Sequence, residues 1–132
     1  MRAFGAPPSA EEIEEIARGA LDALPEPFSH TLGDVVLQVE DFADEATLAD
    51  MGIEDPFELT GLYEGVPLTE RSVTESGRLP DRIRLFRRPI LDEWAGGEDS
   101  LEHLVRHVLI HEVGHHFGLS DDDIHALEEM AE

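Results

Sequence analysis

The stretch His111-Glu112-Val113-Gly114-His115 decides how this chain is read. Two histidines four residues apart on a helix project from one face, about 40° apart at ~3.6 residues per turn. That spacing lets both imidazoles reach a single zinc ion at ~2.0–2.1 Å. Glu112 follows the first histidine directly, where it can take a proton from a water activated at the metal rather than act as a ligand. Upstream, Leu101, Leu104, Val105, Val108 and Leu109 recur at helical spacing. Continued forward, the same phase sets His111 and His115 beside that apolar face and Glu112 within it. Three polar groups directed inward are costly unless they serve one another, and a shared metal does that. The blander alternative is a helix whose histidines are satisfied inside the core. The helix itself is expected over Glu98 to Gly118, with Asp99 and Glu102 at its cap and Gly118 as its stop.

A catalytic zinc usually keeps three protein ligands and one open position. The third ligand should come from just beyond Gly118, where the chain can turn back. Asp121 stands ten residues after His111, so the run reads H-E-x-x-H-x-x-G-x-x-D. Asp121, Asp122 and Asp123 also occupy the first turn of a last helix, where acidic residues are favoured without any metal. Asp121 is the expected third ligand, with Asp122, Asp123 and His125 as alternatives. His103 and His107 continue the four-residue spacing upstream but drift off the ligand face, and they read as solvent or edge histidines. His116 reads as a neighbour of the site.

The rest of the chain supplies helices at both ends and strands between them. Ser9 and Glu12 form a capping-box pattern, followed by Ile13, Ile16, Ala17, Ala20, Leu21 and Leu24 at helical spacing. Pro25 ends that run, and Pro25 with Pro27 marks a turn. Asp34–Phe42 is rich in β-branched residues and suits a buried strand. A short helix through Ala46, Leu48 and Met51 closes at Gly52. A second strand is expected over Gly61–Val66 and a loop from Leu68 to Pro80. A third strand is expected over Arg82–Arg88, with Ile83 and Leu85 on one face and Arg84 and Phe86 on the other. Ser120 caps a final helix through Ile124, Leu127 and Met130. This order implies an α+β class, as a single domain over residues 1–132.

Composition narrows the chemistry further. There is no cysteine, so any metal must be held by nitrogen and oxygen. The 132 residues carry 31 acidic side chains against nine basic ones, all arginine, for a formal charge of −22. Such a charge repels phosphate backbones and anionic headgroups, which excludes nucleic acid and membrane surfaces as expected partners. The opening MRAFGAPPSAEE has no apolar stretch of signal-peptide type, and cytoplasm is the default compartment. Six of the nine arginines fall between Arg71 and Arg88. They read as a solvated strand face or as pairs for the acidic surface, and alternatively as a guide for an extended peptide along a sheet edge. Tyr63, the only tyrosine, packs beside Gly61 and Gly65 or stabilises an oxyanion.

The run HEVGHHFGLSDDDIHALE at 111–128 resembles a bacterial family of minimal zincin-like metallopeptidases. GLYEGVPLTERS at Gly61–Ser72 and RIRLFRRPILDEW at Arg82–Trp94 look like the same family. The resemblance covers about Leu24 to the C-terminus and implies a compact minimal zincin-like fold, a small mixed sheet with an active-site helix and flanking helices. It makes His111 and His115 zinc ligands, Glu112 the general base and Asp121 the third ligand. Larger metzincins place a histidine where Asp121 stands and add a Met-containing turn, whereas Met130 here falls in a helix. The expected activity is zinc-dependent hydrolysis of a peptide or protein substrate. The alternative is a zinc-binding interaction module of the same fold without general proteolytic activity.

Overall fold

Ser9 opens the first helix, α1 (Ala10–Asp22), through the capping box its spacing to Glu12 predicts. Its hydroxyl accepts from the Glu12 N–H at 3.1 Å, and the Glu12 carboxylate accepts from the Ser9 N–H. The computed structural model describes residues 6–26, 28–32, 34–65 and 81–130. In chain order α1 is followed by α2 (Phe28–Thr31), β1 (Val36–Glu40), α3 (Glu45–Met51), a 3₁₀ turn (Pro56–Glu58), β2 (Gly61–Glu64) and β3 (Arg82–Phe86). Three helices complete it: α4 (Arg87–Ala95), α5 (Leu101–His116) and α6 (Asp121–Met130). The α+β expectation holds.

The sheet order is β1-β3-β2, with β1 parallel and β2 antiparallel to the central β3. Alternation along β3 sorts its side chains as expected. Ile83 and Leu85 enter the main core with Leu37 of β1, the apolar face of α1, and the α5 residues Leu101 to Val113. Phe86 joins a smaller cluster with Ala43 and Leu59 on the other face. Arg84 on that same face is buried and ion-paired to Glu40, Asp44 and Glu64. The arginine-rich strand is therefore a pairing element for the acidic surface, within its described part. Arg82 bonds Glu64 and Arg87 bonds Asp41 in the same way.

Two expectations are corrected. The strand expected to reach Arg88 stops at Phe86, and the chain passes directly into α4. Pro89 lies in the first turn of α4, where its missing N–H has no partner to lose. The cap of α5 is Ser100, whose hydroxyl accepts from the His103 N–H at 3.1 Å, and not Asp99 with Glu102. Short helix α2 was not anticipated. The end of the second expected strand at Val66, the loop expected over Leu68–Pro80, Pro27, Arg71 and Arg78 lie outside the described residues, as does the Val66–Ser72 part of the GLYEGVPLTERS segment.

Helix α5 ends in a Schellman motif. The Gly118 N–H donates to the His115 carbonyl at 3.1 Å and the Leu119 N–H to the Gly114 carbonyl at 2.9 Å, with Gly118 at φ 73°. A side chain in that left-handed region costs about 1–2 kcal/mol. Gly118→Ala is therefore expected to lower stability by roughly 1 kcal/mol in urea unfolding. Among the described residues no helix is long and apolar enough to cross a membrane.

Candidate metal centre

Helix α5 lies between the sheet and α6, and its two flanks carry different chemistry. Val105, Val108 and Leu109 seal it into the core, which fixes its rotation about its own axis. That rotation turns Glu112 toward the sheet, where its carboxylate is half-buried and accepts the backbone N–H of Tyr63 on the edge strand β2. Burial is the largest influence on this carboxyl and pushes its pKa up, while His115 and the Tyr63 amide pull it back. Tyr63 donates its hydroxyl to Asp81 Oδ2 at 2.8 Å, and its ring stacks on His116 with centroids 3.8 Å apart. His116 Nε2 lies 3.9 Å from the same Asp81 oxygen. The tyrosine hydroxyl is thus committed to Asp81.

The other flank is a row of imidazoles: His103, His107, His111 and His115. His107 and His111 lie with ring centroids 4.1 Å apart, and His111 and His115 meet edge-on at 5.8 Å. The pKa of His111 is pushed down, first by burial and next by the neighbouring His107, with Glu128 and Asp121 opposing. The neutral imidazole this favours is the form that binds a metal. His115 is exposed, and so are Asp121, Asp122, Asp123 and His125.

Helix α6 is held against α5 by Ile124 and Leu127. The contact is close because Gly114 has no side chain: a Cβ there would fall 2.4 Å from Ile124 Cγ1 and 2.8 Å from its Cδ1. Gly114→Ala therefore forces α6 outward. The expected loss is about 1–3 kcal/mol of stability, read as a lower midpoint in thermal unfolding. Ser120 caps α6 by accepting the Asp123 N–H at 3.1 Å, so the three aspartates fill its first turn as expected.

This packing brings in a residue that the sequence reading did not single out. Glu128 of α6 reaches the histidine row, where one oxygen, Oε1, contacts Nδ1 of His107 and lies 3.6 Å from Nε2 of His111. Among the described residues, His107, His111 and Glu128 form the one group of three whose candidate ligand atoms all lie within 4.8 Å of one another. His115 lies one turn further along α5 and Asp121 at the start of α6, both outside that group. Glu128 did leave a signal in the sequence: it sits four residues after Ile124 and beside Leu127, on the inward face of α6.

A family model for zincin-like metallopeptidases matches residues 32–131. The chain belongs to that family. Comparison with curated proteins finds no match. Family membership implies a metal, typically zinc, and a metallopeptidase type of chemistry. The donor set suits such an ion: imidazole nitrogens and carboxylate oxygens are the ligands a borderline divalent cation prefers.

Proposed function

We propose that this zincin-like chain is a peptidase that hydrolyses a peptide or protein substrate with zinc held by His111, His115 and Asp121 and with Glu112 as general base. The observation that carries the reading is the environment of Glu112. Its carboxylate is half-buried, anchored by the Tyr63 amide and raised in pKa by burial, one residue from the metal-type histidine His111. A base whose pKa is moved toward the working pH transfers protons in both directions more readily. Bound at the histidines, zinc would supply Lewis-acid polarisation of a carbonyl and an acidified water. Glu112 takes the proton of the attacking water and returns it to the leaving amine. The Tyr63 amide holds the carboxylate in place through both transfers, and the lowered pKa of His111 favours the neutral imidazole whose lone pair binds a metal.

The net charge of −22 disfavours nucleic acid and anionic membranes as partners, and the zincin-like family supports a polypeptide substrate. Native mass spectrometry of protein prepared without chelator tests the metal: one zinc per chain is expected, and none in His111→Ala. Digestion of denatured proteins and peptide libraries tests the chemistry. Fragments that depend on Glu112 support a peptidase. A zinc-loaded chain that yields none supports the interaction module.

A further inference from the structure

Glu128 is the hub of the α5–α6 interface on its polar side. Its carboxylate is largely buried, with side-chain exposure of 15%, and faces three imidazoles: those of His107, His111 and His125. Buried polar atoms are almost always hydrogen-bonded. Glu128 Oε1 is fully buried, yet it accepts no hydrogen bond, although it touches His107 and lies near His111. Two imidazole nitrogens and a carboxylate oxygen converging within 4.8 Å are an arrangement a cation satisfies, and without a cation His107 and Glu128 are left to pair with each other. The ligand atoms are two imidazole nitrogens and one carboxylate oxygen, contributed by two helices that Gly114 allows to pack closely. An open groove lined by His103, His107, His125 and Glu129 leads to the cluster from solvent and carries further donors.

We propose that His107, His111 and Glu128 form a second register for a divalent transition metal, one helical turn upstream of the register proposed for catalysis. The inference rests on the proposed function only in that the two registers compete for His111. An imidazole nitrogen serves one ion at a time, so an ion in the upstream register removes His111 from the downstream one. The chain then binds one ion in either of two positions, and only the downstream position lies beside His115.

Zinc and cobalt binding by single-site variants tests this without reference to activity. His107 and His115 are both exposed, so replacing either leaves the core intact. His115→Ala is expected to retain one ion per chain by native mass spectrometry. Adding Glu128→Gln or His107→Ala to that variant is expected to weaken binding by at least about 100-fold. His107→Ala alone is expected to keep one ion through the downstream register, and His111→Ala to lose both. Saturated wild type is expected to hold a single tightly bound ion. Loss of the ion in His115→Ala alongside retention in His107→Ala overturns the upstream register and leaves the proposed function standing. The reverse pattern, retention in His115→Ala and loss in His107→Ala, supports the upstream register and counts against the downstream one. Retention in His115→Ala/Glu128→Gln overturns the ligand set, and two tightly bound ions in wild type overturn the sharing of His111.

Discussion

Glu112→Gln is expected to lower peptide hydrolysis by about 10²–10⁴-fold, the range a positioned general base contributes, while zinc content stays unchanged. The amide is isosteric with the carboxylate and its oxygen can still accept the Tyr63 N–H, so the geometry of α5 against β2 survives. Only the capacity to carry a proton is lost. Stability should move the other way from activity. A carboxyl whose folded pKa is raised favours the unfolded state at pH values above its ordinary range, where the unfolded chain ionises it freely. Removing that charge relieves the burial cost, so the thermal midpoint of Glu112→Gln should equal or exceed that of wild type near neutral pH. Steady-state kinetics on any cleaved peptide, with metal analysis and a melting curve on the same sample, check all three statements. Undiminished turnover in the variant would remove Glu112 from the mechanism.

Arg84→Ala is expected to cost about 3 kcal/mol, read from urea unfolding, because it leaves three carboxylates converging on an empty position. In the native protein the guanidinium bonds both oxygens of Glu40, at 3.2 and 3.0 Å, and reaches Asp44 at 3.2 Å, Glu64 at 3.4 Å and the Thr47 hydroxyl at 3.0 Å. Those carboxylates hold the guanidinium firmly in its charged form. Glu40, Glu64 and Asp44 are themselves 28, 36 and 60% exposed and can turn to water, which places the cost toward the lower end for a broken ion pair. Arg84→Lys should recover only part of the loss, since an ammonium cannot span both Glu40 oxygens. A loss below about 1 kcal/mol would mean that solvent screens the cluster.

The same cluster sets a pH dependence. Asp44 has its pKa held below the usual carboxylate value, first by the Thr47 hydroxyl and then by Arg84. A group depressed in the folded state stabilises at pH values above its unfolded pKa, and that stability is lost as pH falls through the folded value. The wild type should lose stability on acidification below the usual Asp range. Arg84→Ala should do so less steeply, because the guanidinium's share of that lowering is gone.

Much of this fold is written in local pattern. The capping box at Ser9, the apolar rows of α1 and α5, the alternation of Ile83 and Leu85 against Arg84 and Phe86, and the stop at Gly118 each follow from neighbours within one turn or one pleat. The histidine pair and the glutamate between them are legible for the same reason, since three residues on a single helix have their relative directions set by helical geometry alone. Helix α4 was missed because Arg82 to Arg88 carries a strand period into a proline, and a proline is silent on whether a helix begins before it.

What only the tertiary structure decided is how the single-helix pattern meets its surroundings. Projected from α5 alone, His107 faces solvent; with α6 in place it faces a buried carboxylate. That meeting depends on Gly114 admitting Ile124, a contact between helices whose crossing no periodicity within either helix encodes. The anchoring of Glu112 by an amide of β2 is of the same kind, joining residues 49 positions apart. Sequence determines which side chains share a helix face. Packing, through steric fit between elements distant in the chain, determines what that face meets.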